Sequence, residues 1–291
     1  MGIYVRNAFF GCMSASATAT AALLQATQAE AVDAIQNDVL LSSSLWVNIA
    51  LAGFSALLFV YMGRNVTDPR AKFIFAATLM IPLVSISSYT GLVSGLTVGF
   101  IEMPAGHALA GEEVMSQWGR YLTWALSTPM ILLALGLLAK VETPSLFTVI
   151  VADIGMCITG LAAALVTSSY ALRWFFYVIS CAFFIVVLYA ILVEWPKSAA
   201  AADTDEIFGT LRALTVVLWL GYPIIWALGV EGLALVQSVG LTSWGYSALD
   251  IGAKYVFAFL LLRWVAANEG VVSESGTTAG PETGGAAPVD D

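Results

Sequence analysis

Leu249-Asp250-Ile251-Gly252-Ala253-Lys254 is the stretch on which the fold turns. It lies inside residues 232–262, a run whose only charged residues are Asp250 and Lys254. A helix needs roughly 20 predominantly apolar residues to cross the hydrocarbon of a bilayer, at about 1.5 Å of rise each. Lys254 stands near the middle of this run, and an ionisable group there is costly and marks function by default. Asp250 stands four residues earlier and shares its helical face. The pair reads in two ways. It is an ion pair that aligns helices, or it is a lysine that gives up its proton readily and condenses with an aldehyde. In the second case the imine carries a positive charge, and Asp250 is its counter-ion.

Working outward, six more apolar runs precede this one: 39–63, 73–101, 121–139, 143–172 with one interruption, 174–193 and 213–230. Of 291 residues, 59% are hydrophobic and 11% charged, against about 25% charged in an ordinary soluble domain. The expectation is an all-α membrane protein, a seven-transmembrane-helix bundle over residues 39–267, with no soluble domain left over. Seven bases (Arg64, Arg70, Lys72, Lys140, Lys197, Arg212 and Arg263) fall on one side of the spans. Only Arg6, Arg120 and Arg173 fall on the other. Positive charge marks the cytoplasmic side, so the N-terminus is expected to be extracellular and the C-terminus cytoplasmic.

Residues 1–38 are expected to form an extracellular leader, with partial cleavage or disorder left open. Residues 268–291 are rich in Gly, Thr and acids and are expected to be a disordered cytoplasmic tail. The loop over about residues 100–117, with Glu102, His107, Glu112 and Glu113, is the longest outer connection. A net charge of −9 argues against nucleic acid as a partner, since phosphate binding needs a basic face. Cys12, Cys157 and Cys181 have no spacing that implies a disulfide framework or a metal site.

Two other spans carry polar or aromatic stripes. Arg120, Thr123, Trp124 and Ser127 fall at i, i+3, i+4 and i+7, one face of a helix. Trp219, Tyr222 and Trp226 fall at i, i+3 and i+7 around Pro223. Taken alone, the first is ordinary polar helix contact and the second ordinary core. Beside a lysine adduct, the aromatic stripe becomes the wall of a flat pocket. If the imine, Arg120 and Asp250 face one cavity, their charges sum to plus one, and an unpaired buried charge costs several kcal/mol. A carboxylate at position 123 would cancel it, but the residue is threonine. Thr123 and Ser127 offer hydroxyl donors instead, so the cavity calls for a bound anion.

The imine rests on a resemblance. Arg120 to Pro129, Asp153-Ile154-Gly155-Met156-Cys157-Ile158-Thr159-Gly160, Trp219 to Trp226 and Leu249 to Lys254 resemble four helices of the microbial rhodopsins, a likeness that runs over about 40–266. The resemblance implies all-trans retinal bound covalently to Lys254 and sandwiched by Trp124 and Trp219. Tyr222, Trp226, Met156 and Gly160 complete the pocket, and Asp153 is a neutral acid near the ring end. Tyr89 and Tyr222 bond Asp250. Proton pumps of the family carry aspartates where Thr123 and Ala134 stand. Thr123-Trp124-Ala125-Leu126-Ser127 and Ile101 to His107 resemble the archaeal chloride-pumping halorhodopsins. That branch implies an inward, light-driven chloride pump in the cell membrane that isomerises retinal from all-trans to 13-cis. Chloride would lie at Arg120, Thr123 and Ser127 and leave past Thr215. Membrane lipid and further copies of the chain, as a trimer, are the implied partners. The readings left standing beside it are a photosensor, a proton pump, and a seven-helix receptor or carrier with no chromophore.

Overall fold

The computed structural model describes residues 27–273. Most of the expected leader and tail therefore lies outside the described residues. Residues 27–37 form helix α1, so the last third of the leader is ordered rather than loose. Its Ala31 and Ile35 are buried, and Gln28 Nε2 donates to the Ser94 carbonyl at 3.0 Å. Gly95 makes this contact possible. Its φ is +72°, and a Cβ there would stand 2.8 Å from the Gln28 carbonyl oxygen.

The first spans are α2 (Val39–Gly63) and α3 (Pro69–Val93). The second starts four residues before the apolar run and ends eight before its last residue. Its start is set by Asp68, whose side chain accepts from the Arg70 and Ala71 amides, with Pro69 in the first turn, a position where proline loses no hydrogen bond. Its end is set by Gly95, after which β1 (Gly99–Glu102) pairs antiparallel with β2 (Glu113–Ser116), in register Gly99 to Ser116 and Glu102 to Glu113. The hairpin lies in the long outer connection.

Next come α4 (Gly119–Leu138), α5 (Thr143–Leu165) and α6 (Tyr170–Tyr189). The last continues through a π turn at Ala190–Glu194 into α7 (Trp195–Ala201). Helix α8 (Asp205–Leu228) starts eight residues before its apolar run, with Asp205 and Glu206 in its first turn, where acids suit the helix dipole. The seventh span is α9 (Val239–Asp250), a π turn at Ile251–Val256 and α10 (Phe257–Ala267). The short α11 (Glu269–Val272) follows.

Among the described residues, six helices are long and apolar enough to span a bilayer, and the interrupted α9–α10 region is the seventh. Consecutive helices pack side by side from α2 to α6, α8 packs on α9 and α10, and α9 and α10 close onto α2. The outward faces carry Phe147, Phe175, Ile185 and Val217, each more than half exposed, as a lipid-facing surface does. Inside, one large cluster includes Phe59, Ile81, Leu132, Trp195, Phe257 and Leu261.

Three helices carry an internal proline: Pro82, Pro129 and Pro223. Each lacks an amide hydrogen and so frees the carbonyl four residues back, at Thr78, Ala125 and Trp219. Lys254 sits inside the π turn, a kind of helix widening that recurs at functional sites.

Candidate functional site

The π turn and α9 bring Asp250 and Lys254 into the bundle, where both are about 1% exposed. Lys254 Nζ lies 3.0 Å from Asp250 Oδ2. The carboxylate accepts two further bonds, from Tyr89 at 2.7 Å on Oδ2 and from Tyr222 at 2.6 Å on Oδ1. Helices α3, α8 and α9 thus meet on one aspartate, which fixes its rotamer.

Arg120, at the start of α4, is 3% exposed. Its guanidinium donates to Tyr89 Oη at 3.1 Å, Gln117 Oε1 at 2.7 Å and Ser243 Oγ at 2.6 Å. Ser243 in turn shares a 2.6 Å bond with Ser44 of α2. Tyr89 therefore links Arg120 to Asp250. Two cations and one carboxylate form one buried assembly with a formal sum of plus one.

On the same α4 stripe, Thr123 and Ser127 are buried but differ in what they bond. Thr123 Oγ1 donates to the Gly119 carbonyl at 3.0 Å and makes a short bond with Ser88. Ser127 Oγ has no hydrogen-bond partner among the described residues. An unsatisfied buried hydroxyl costs about 1–3 kcal/mol. This orphan one turn from Thr123 is what an anion site needs. The two hydroxyls read as equivalent in the sequence are therefore unequal, because Thr123 bonds its own backbone.

An apolar cavity of about 100 Å³ opens beside these groups, between α4, α5, α6, α8 and α9. Trp124, Trp219, Tyr222, Trp226, Met156 and Gly160 line it, together with Tyr121, Thr128, Cys157, Tyr177, Ser180, Cys181, Phe184, Pro223 and Tyr246. Trp124 stands edge-on to Tyr222 and Tyr121, with centroids 5.2 and 5.1 Å apart. Tyr177 stacks on Trp226 at 4.7 Å and holds the Pro223 carbonyl at 3.1 Å. The walls suit a long conjugated chain such as retinal, and the buried amine of Lys254 stands one helical turn from Asp250.

Lys254 and Asp153 are not themselves part of the lining. The Lys254 amine turns toward Asp250, and Asp153 stands behind Thr128. Thr128 Oγ1 lies 2.6 Å from Asp153 Oδ2 and 2.7 Å from the Trp124 carbonyl. Asp153 is fully buried. Thr215, on α8 one turn before Trp219, is buried, and its hydroxyl has no hydrogen-bond partner among the described residues. Ala134 is buried and apolar. Among the described residues no cluster of ligating side chains offers a metal site.

The sequence reading missed Ser88, Gln117, Ser243 and Glu231. Gln117 lies three residues before Arg120, and Ser243 seven before Asp250. Both spacings point to the same helical faces as the charged residues.

Comparison with known proteins agrees with this geometry. The profile of the bacteriorhodopsin-like proteins matches residues 39–268. Cruxhalorhodopsin-3 of Haloarcula vallismortis is 70% identical over 279 residues, which is 96% of this chain and 100% of the relative. The solved structure of halorhodopsin, a light-driven chloride pump, is 74% identical with a TM-score of 0.80, over 81% of this chain and 98% of the other. The bromide-bound form of halorhodopsin from Halobacterium salinarum is 73% identical with a TM-score of 0.81, over 83% and 99%.

Proposed function

The chain belongs to the bacteriorhodopsin-like family, and we propose that it is a light-driven pump that carries chloride inward across the cell membrane. The observation that carries this reading is the buried sum of plus one, with a threonine at position 123 and an orphan hydroxyl at Ser127 beside it. A carboxylate at position 123 would cancel that sum and leave no need for an anion. The halorhodopsins, at about 70% identity over nearly the whole chain, support the same assignment.

Lys254 is the residue that would hold retinal, with Trp124 and Trp219 on its two faces and Tyr222, Trp226, Met156 and Gly160 around it. Bound there, retinal supplies a light-driven displacement of positive charge, through isomerisation from all-trans to 13-cis. The rest is done by the chain's own groups. Asp250, held by Tyr89 and Tyr222, cannot follow a moving charge, because two hydroxyls and its backbone tether fix it. Arg120 attracts an anion from the outer side and is fixed by Gln117 and Ser243. Ser127 donates its free hydroxyl to that anion, with Thr123 beside it. An untethered halide can follow the displaced charge toward the cytoplasmic half, where Thr215 offers the next free hydroxyl. The absence of a carboxylate at Ala134 denies a proton the corresponding inner donor. Asp153, which accepts from Thr128 behind the pocket wall, would hold Thr128 in place there.

The direction of transport follows from the loop charges, which put the Arg120 end outside. A homo-oligomer, a trimer by resemblance, is the assembly proposed for the lipid-facing surface. The test of the site is spectroscopic. Purified with retinal, the protein should absorb in the visible, and chloride should shift that band. Lys254→Arg should be colourless, since arginine does not lose its proton in a protein. A coloured Lys254→Arg variant, or a wild-type band indifferent to chloride, overturns the assignment.

A further inference from the structure

The connection from α8 to α9, residues 229–238, carries one carboxylate that turns inward. Glu231 is half-buried; its Oε2 accepts from the Tyr121 hydroxyl at 2.8 Å and its Oε1 from Ser116 at 3.2 Å. Both donors are neutral. Arg173, fully buried on α6, gives its hydrogens to backbone carbonyls instead: Ala164 at 3.0 Å, Val166 at 2.7 Å and Glu231 at 2.9 Å. It pins the loop without bonding the carboxyl group.

Glu231 also lines a second, smaller cavity of about 40 Å³, with Gln117, Arg120, Thr242, Ser243 and Tyr246 in the same wall. This cavity lies at the end of the bundle that the loop charges put outside. Arg120 and Glu231 both stand in its wall, so a halide that enters it meets a carboxyl group as well as the guanidinium.

We propose that Glu231 is a proton-controlled gate on anion entry, open when the carboxyl is neutral and closed when it is ionised. This rests on the chloride reading above and adds to it the control of uptake. The groups that face Glu231 are Arg120 and Tyr121 from α4, Ser116 from β2, Arg173 from α6 and Tyr246 from α9. His107, in the loop between β1 and β2, stands beside the backbone of Val230 and Gly232 and the Arg173 charge. Burial pushes the Glu231 carboxyl up from the usual carboxylate range, against the opposing pull of the Tyr121 hydroxyl and the Arg173 charge. Burial first, and then Arg173, holds His107 below the usual imidazole range. The two shifts run in opposite directions, both set first by burial.

The sign follows. Below its raised pKa Glu231 is neutral, and the cavity offers Arg120 to the anion undiminished. Above it, the carboxylate repels the anion and takes up part of the Arg120 field. A unit charge facing the same partly screened cavity should weaken binding roughly tenfold.

The experiment is a chloride titration of the visible band in the full-length, retinal-loaded protein at intervals from pH 4 to 9. Loss of the imine proton removes the band from the visible and is scored separately. In wild type the apparent chloride Kd should rise roughly tenfold across one titration step. Glu231→Gln should stay tight throughout. Ser116→Ala removes one donor to the ionised form, so its step should move to higher pH by roughly one unit. If chloride shifts no band at any pH, the chloride reading itself fails. If chloride shifts the band but Glu231→Gln keeps the wild-type pH dependence, the gate is wrong. If Glu231→Gln does not fold, Ser116→Ala decides, and an unmoved step overturns the proposal.

Discussion

Truncation of Ser127 to alanine should weaken chloride binding far more than removal of the Thr123 hydroxyl. Ser127 Oγ is 0% exposed and has no protein partner among the described residues. Its hydrogen is therefore available to an ion without breaking any internal bond. A hydrogen bond to a charged group is worth about 1.5–3 kcal/mol. At about 1.4 kcal/mol per tenfold change, Ser127→Ala should raise the chloride Kd by roughly 10- to 150-fold. Thr123 differs because its hydroxyl already serves the Gly119 carbonyl at 3.0 Å and Ser88. Thr123→Val should cost less than about tenfold, since its donor would have to leave those partners to serve the ion. The assay is the chloride dependence of the visible absorption band at fixed pH, with bromide as a second halide. A full loss in Thr123→Val with an unchanged Ser127→Ala would refute the reasoning and move the anion to the other hydroxyl.

Three further outcomes follow from the same geometry. Arg120→Gln brings the buried formal sum to zero without an anion, so chloride uptake should fall at least tenfold, and transport near the wild-type rate in vesicles would contradict the charge count. Thr123→Asp supplies a tethered carboxylate in place of the halide; light should then drive weak outward proton movement insensitive to chloride, weak because Ala134 provides no inner donor, and a chloride-dependent current that persists would show that position 123 does not select the ion. Asp68 caps α3 through the Ala71 and Arg70 amides, both at 2.9 Å, and the Ala71 amide above all holds its carboxyl below the ordinary value. Its contribution is therefore present above the unfolded pKa of about 3.9 and lost as pH falls through the lower folded value. Asp68→Ala should cost about 1 kcal/mol at pH 7 and little at pH 2, while Asp68→Asn should lose less, as thermal melting in detergent at the two pH values would report.

Much of the bundle was legible because charge is scarce enough to mark the loops. Helix ends were not, and the reasons are local. Helix α3 begins at Pro69 because Asp68 satisfies its first amides, and it ends at Val93 because Gly95 turns the chain, although the residues beyond are as apolar as those before. Helix α8 begins at Asp205 because acids are favourable in a first turn, which a search for uncharged runs discards. The π turn around Lys254 leaves no mark in composition, since it changes the number of residues per turn and not their polarity. Asp250, Lys254, Arg120, Thr123 and Ser127 stood out as polar groups in apolar runs. Ser88 and Ser243 did not, because serine is common where membrane helices touch. Glu231 falls between two apolar runs, and nothing in its spacing marks that the fold turns it inward onto Tyr121. The inequality of Thr123 and Ser127 depends on which carbonyl each can reach, and no spacing rule carries that.

The most direct measurement is light-evoked transport by the retinal-loaded protein in vesicles of known orientation, made once with chloride as the only permeant anion and once with sulfate. Light should drive chloride toward the side that bears the bases Arg64, Arg70 and Lys72, at the connection of α2 to α3. The passive proton flow that follows should grow with a protonophore, without loss of the chloride movement. In sulfate the signal should vanish. A light-driven proton movement of equal size in sulfate, or no ion movement in either salt, would contradict the account.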